Sequence, residues 1–182
     1  HTGAYFAPTS SPSLGEATAF FRDLALRYRD NPYVWFDLQA KPGGCRLECA
    51  FVDAHDALLA AIRKDAAADN LVVVHGAARG TEDGCTGDAP VTADTSPLLR
   101  WGAGLVARWG PQANLVMGIN VNDRWTDGGA AKLAALFDAF EARGLAALVT
   151  GYGLFDQREL EAADDMTAVD AMFEALGSRP IG

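Results

Sequence analysis

The chain alternates between short unbroken apolar runs and longer stretches in which apolar residues recur every three or four positions. Residues 1–13, HTGAYFAPTSSPS, read as a Pro/Ser/Thr loop. Ser13-Leu14-Gly15-Glu16 then has the form of a capping box, whose two side chains satisfy the first free N–H groups of a helix. Phe20, Leu24 and Tyr28 follow at i, i+4 and i+8, with Phe21 widening the stripe. This helix stops near Asn31-Pro32, since proline cannot continue it. The pattern next predicts strand 33–38 and a helix over about 49–65 with Phe51, Leu58, Leu59 and Ile62 on one side. Strand 71–75 leads into a Gly/Asp/Thr-rich loop over 76–93 and a helix over 95–109. Strand 114–121, a helix near 129–143, strand 145–150 and a last helix over 164–176 complete the chain.

One helix followed by four strand–helix units is an α/β pattern. Three of the strands are nearly continuous apolar runs, as expected when both faces of a sheet are covered. Their spacing fits parallel strands joined by right-handed crossovers. Two architectures satisfy this, an open doubly wound sheet and part of a (β/α)8 barrel. A whole barrel typically takes about 250 residues, so the 182 present are short of one. No G-x-G-x-x-G or G-x-x-x-x-G-K-[ST] follows a strand, which weakens the nucleotide-binding version. The long polar loops follow the C-terminal ends of strands, where both architectures place their sites.

Charge narrows the partners. At a net −9 the chain would be repelled by nucleic acid and by an anionic membrane, whereas a neutral partner such as a sugar is compatible. No run of 18 apolar residues is present, and no signal peptide opens the sequence. The reading is a cytosolic protein or a segment of something longer. Cys45, Cys49 and Cys85 match no four-ligand zinc pattern. They fit either one disulfide with a leftover thiol, Cys45–Cys85 being favoured and Cys49 competing, or three reduced thiols. No cofactor or metal is expected.

The stretches RYRDNPYVWFDLQAKPGG, AIRKDAAADNLVVVHG, ANLVMGINVNDRW and GLAALVTGYG together resemble the second half of a glycoside hydrolase family five cellulase, a clan A (β/α)8 barrel. They occur in that family's order and at its separations over most of residues 1–156. The opening HTG is similar to the loop after the family's third strand. The resemblance implies one partial TIM barrel over 1–182 holding strands four to seven, with strands one to three and eight absent. It implies secretion and a β-glucan or other polysaccharide as partner. Two unpaired barrel edges imply self-association or marginal stability.

The same resemblance locates the chemistry, and there the chain departs from it. Where the family has Asn-Glu-Pro, with Glu as acid/base, this chain has Ala40, Lys41 and Pro42. The family's His and Tyr of strand six correspond to Asn120 and Asn122, with Trp125 near a frequent aromatic. Its nucleophilic Glu, before an aromatic–Gly pair, corresponds to Gly151 before Tyr152-Gly153. After strand five stand His75-Gly76, with Arg79 close to where a Trp is frequent. A retaining glycosidase needs two carboxyl groups ~5–5.5 Å apart, one as nucleophile and one as acid and then base. Lys41 repels an oxocarbenium-like centre and, with an ordinary pKa of ~10.4, is a poor acid at neutral pH. Gly151 has no side chain. No catalytic residue is therefore assigned, and Lys41, His75, Arg79, Asn120, Asn122, Trp125 and Tyr152 are candidate substrate-binding residues.

Other side chains have two readings each. Asp37, Glu82, Asp83, Asp123 and Asp156 lie in or near strand ends. They are either displaced catalytic carboxylates, with Asp123 the best placed, or solvated loop charges and helix caps. His75, Arg79 and Lys41 form either a cationic mouth or ion pairs with loop acids such as Glu82 and Asp83. His55 reads as a surface or groove residue, and Trp35, Phe36, Trp101 and Trp109 as packing. Three functions follow: a non-catalytic glycosidase relative that binds glycan weakly, an active hydrolase using displaced carboxylates, or an inert structural or interaction segment.

Overall fold

A computed structural model describes residues 13–38, 48–76, 92–121, 129–152 and 167–177. Four strands form one parallel sheet: β1 (Phe36–Asp37), β2 (Val72–His75), β3 (Leu115–Val121) and β4 (Ala147–Tyr152). They lie side by side in chain order, so the sheet has no reversal point. The helices among the described residues are α1 (Leu14–Tyr28), α2 (Glu48–Ala60), α3 (Ala103–Trp109), α4 (Gly129–Ala142) and α5 (Thr167–Gly177). None among the described residues is long and apolar enough to cross a membrane.

Side chains alternate between the two faces of a strand, and the parallel register aligns those faces across the sheet. Phe36, Leu38, Val72, Val74, Met117, Ile119 and Val121 share one face and join the core cluster. The same cluster contains Phe21 of α1, Phe51 and Leu58 of α2, Leu105 of α3, Phe137 of α4 and Met172 of α5. The five described helices thus contribute to the apolar cluster on one side of the sheet. The other face carries Asp37, Val73, His75, Val116, Gly118 and Asn120. A doubly wound sheet puts helices on both faces and reverses its strand order; neither occurs among the described residues.

The first capping box forms as the sequence implies. Ser13 Oγ accepts from the Glu16 N–H at 3.2 Å, and the Glu16 carboxylate accepts from the Ser13 N–H at 2.7 Å. These bonds hold the Glu16 carboxyl below its ordinary pKa. The buried stripe behind it differs from the one expected. Ala17, Phe21 and Ala25 face inward with Leu24 and Tyr28 flanking them, while Phe20 is 59% exposed. Two alanines let this face seat closely against the segment Ala61–Asp65, which continues α2 as a π turn.

Strand β1 is shorter than the predicted 33–38 because its first residues are bonded elsewhere. The Val34 N–H donates to the Asn31 carbonyl at 3.2 Å, and the Val34 carbonyl accepts from Asn70 Nδ2 at 2.9 Å. The ladder starts at Phe36, which donates to the Leu71 carbonyl just before β2 at 2.9 Å, and Leu38 donates to the Val73 carbonyl at 3.0 Å. In consequence Trp35, expected to pack, is 54% exposed, whereas Phe36 is buried as expected. The predicted helix over 95–109 is broken at Ser96-Pro97. A 3-10 turn (Ala93–Thr95) precedes the break, and a π turn (Leu98–Gly102) leads into α3. Ser96 Oγ accepts from the Leu99 N–H, capping the new start.

Arg63 ties the sheet together at the N-terminal ends of its strands. Its guanidinium donates to the carbonyls of Ala68, Asn70 and Ala113. Burial lowers its pKa, with the charge of Asp69 opposing. Trp101 is buried as expected. Trp109 packs at the core margin and donates from Nε1 to Asp56 at 2.8 Å, and Asp56 also pairs with Arg108.

Candidate functional site

The C-terminal ends of the strands gather polar groups on the face turned away from the helices. Asp37 ends β1, His75 ends β2, and Asn120 and Gly151 lie opposite one another near the ends of β3 and β4. The register explains each placement. Asp37 pairs with Val73 and His75 with Gly118, so Asp37 and His75 project to one side two residues apart. His75 Nε2 donates to Asp37 Oδ1 at 2.7 Å. The His75 side chain is 2% exposed and that of Asp37 57%. With Nε2 committed as donor, Nδ1 of a neutral ring is a bare lone pair. It is buried and has no hydrogen-bond partner among the described residues.

Gly118 makes this arrangement possible. A Cβ built there would stand 2.7 Å from His75 Cε1 and from Val73 Cγ1, closer than real side chains approach. The imidazole occupies the room a larger residue would take.

A β-bulge brings Gly151 beside Asn120. Ile119 pairs with Val149, but Asn120 pairs with Gly151, leaving Thr150 as the extra residue. Such a bulge re-aims the residues after it. Without it Gly151 would fall on the helix-covered face with Val149. Thr150 Oγ1 donates to the Ile119 carbonyl at 3.3 Å and lies 3.4 Å from Asn120 Oδ1. A Cβ added at Gly151 would collide with Asn120 Oδ1.

Of the candidates named from sequence, His75 and Asn120 stand on this face and Tyr152 lies at the end of β4, its backbone paired with Val121. Lys41, Arg79, Asn122 and Trp125 lie outside the described residues, as do Glu82, Asp83, Asp123, Asp156, Cys45 and Cys85. Cys49 falls within α2, near its start.

His55 is the clearest correction. Expected at the surface or in a groove, it is 2% exposed. It lies one helical turn from Phe51 on the buried stripe, donates from Nδ1 to the Phe51 carbonyl at 2.7 Å, and packs tilted against the Phe51 ring with centroids 4.1 Å apart. That local bond satisfies the polar edge that argued for exposure. Burial pushes its pKa down to about 4; the Phe51 carbonyl opposes the shift and the His75 imidazole adds to it. Sequence reasoning also missed the pairing of Asp37 with His75. Both residues stand at strand ends, and the signal for the pairing is the common period-two phase that parallel registration gives them.

No protein-family model matches the sequence, and no curated protein matches it. Solved structures do. The catalytic domain of a mannanase from Streptomyces sp. SirexAA-E superimposes with a TM-score of 0.66 at 20% identity, covering 97% of this chain and 51% of that one. XacCel5A in complex with cellopentaose gives 0.64 at 19% identity, covering 93% and 53%. Cel5A (EG2) from Hypocrea jecorina (Trichoderma reesei) gives 0.59 at 16%, covering 91% and 48%. The chain therefore has a partial (β/α)8-barrel fold like that of these family five glycoside hydrolases. It spans about half the length of the structures it matches. At these identities the likeness concerns the fold.

Proposed function

We propose that the chain is a non-catalytic relative of the retaining β-glycosidase scaffold, and that its strand ends hold a β-glucan or similar polysaccharide weakly. The observation that carries this reading is Gly151. By the family resemblance it occupies the nucleophile's position, and it lies opposite Asn120, one residue before the end of β4, with no side chain of its own. Covalent catalysis at an anomeric carbon needs an oxygen nucleophile there, together with a second carboxyl for the leaving group. Lys41, at the corresponding acid/base position, is a cation. The carboxylate described at these strand ends, Asp37, is engaged by His75.

What persists is binding chemistry. Asn120 and Asn122 offer amides that both donate to and accept from sugar hydroxyls. Trp125 and Tyr152 offer apolar ring faces, and Lys41 and Arg79 donate hydrogen bonds, while the buried His75 holds the Asp37 carboxylate in place. Neighbours with the same fold include a mannanase and a cellopentaose complex, which makes polysaccharide the ligand class to try first.

Affinity electrophoresis through gels containing soluble β-glucan or mannan tests the reading. Retardation that Asn120→Ala and Trp125→Ala each weaken is the expected result. Unretarded migration in both polymers would reject glycan binding and leave the inert segment.

A further inference from the structure

We propose that Trp35 and Asp37 form a sugar-holding pair at β1, the indole face carrying a pyranose ring of a neutral glycan and the carboxylate anchoring its hydroxyls; this deepens the glycan reading above and rests on it. The two side chains share one side of the chain. Phe36 and Leu38 are buried in the helix-covered core and Val34 packs against it. Alternation therefore sends Trp35 and Asp37 the other way, about 7 Å apart along the extended backbone. Trp35 is 54% exposed and the Asp37 side chain 57%.

Both groups are exposed yet held. The Val34 N–H donates to the Asn31 carbonyl, the Val34 carbonyl accepts from Asn70 Nδ2, and the N–H groups of Phe36 and Leu38 donate to the Leu71 and Val73 carbonyls. The backbone on either side of Trp35 and Asp37 is thus fixed, which leaves less to order on binding. The buried His75 donates from Nε2 to Asp37 Oδ1 and so orients the carboxylate. Oδ2 remains an acceptor with no other partner among the described residues. The chemistry of the pair selects the ligand. The electron-rich face of an indole attracts the polarised C–H face of a pyranose. An ionised carboxylate accepts from hydroxyls more strongly than a neutral group does. A net charge of −9 disfavours an anionic ligand. A cation would also suit an indole and a carboxylate, but this carboxylate is already shared with the His75 N–H.

Calorimetric titration of the full chain with cellopentaose, and separately with tetramethylammonium, tests the proposal, with circular dichroism on every variant. Trp35→Ala should raise the Kd for cellopentaose at least ~10-fold, and Trp35→Phe, which keeps a ring face, should recover most of the loss. Asp37→Asn keeps an oxygen for His75 but puts an amide nitrogen at the free position, and should raise the Kd at least ~3-fold. If Asp37→Asn loses its fold, the two Trp35 variants decide alone, since that side chain lies outside the core. A Kd indifferent to Trp35→Ala but raised by Asn120→Ala would overturn this pair and leave the glycan reading standing. A Kd raised by Trp35→Ala but indifferent to Asn120→Ala and Trp125→Ala would uphold the pair and remove those two contacts from that reading. No binding of cellopentaose by the parent chain, whether or not tetramethylammonium binds, would overturn the pair.

Discussion

Gly151 and Asn120 lie side by side across a β-bulge, and the amide oxygen of Asn120 occupies the space a Gly151 side chain would need. A side chain introduced at position 151 therefore has to displace the end of the Asn120 side chain. We expect Gly151→Glu alone to destabilise the fold by about 1–3 kcal/mol, as overpacking does. Adding Asn120→Gly should recover much of that loss. Urea denaturation of the two variants measures it, and equal stability of Gly151→Glu and the parent would contradict the contact.

A second expectation concerns Gly118. Gly118→Ala places a methyl against His75 and Val73 at distances neither can accept. A loss of about 1–3 kcal/mol follows, with the His75 ring displaced from Asp37. An unshifted His75 Nε2 proton resonance in the variant would show that the ring did not need the glycine.

The strands were legible because β-branched runs such as VVV at 72–74 have few other uses. Their order followed from the regular spacing. The failures have local causes. The template i, i+4, i+8 is met equally by Phe20, Leu24 and Tyr28 and by Ala17, Phe21 and Ala25, and close helix packing chose the alanines. The Val34 backbone was claimed by Asn31 and Asn70, a partner 36 residues away that no window around β1 contains. The bulge at Thr150 has no marker in the sequence, yet it decides which face Gly151 joins. His75 and Asn120 were named from the resemblance and stand at strand ends, whereas the hydrogen bond from His75 to Asp37 depended on register across 38 residues.

Removing that bond should cost stability. Asp37→Ala leaves a buried imidazole N–H without its acceptor, a penalty of about 1–3 kcal/mol. Asp37→Asn keeps an acceptor oxygen and should cost less. Chemical denaturation ranks the two, and the reverse order would mean that the hydrogen bond is not what Asp37 supplies.

His55 gives a pH dependence with a defined sign. Its folded pKa is about 4, below the ordinary ~6.5. Between these values the unfolded chain binds the extra proton, so folding stability rises with pH across the window. The contribution is whole above about pH 6.5 and lost as pH falls to about 4, on the order of 3 kcal/mol in all. In His55→Leu the acid side of the stability profile should be flatter across that window. A profile parallel to the parent's would place the proton uptake elsewhere.

The central claim is the absence of glycosidase chemistry, and turnover tests it most directly. The purified, unmodified chain is incubated with aryl β-glycosides, soluble cellulose and mannan, and released sugar is followed. We predict release indistinguishable from a no-protein control, because neither Lys41 nor Gly151 can form or break the glycosyl bond as the family's carboxyls do. Release that persists through repurification and disappears in Asp123→Asn would contradict the account and establish a displaced-carboxylate hydrolase in its place.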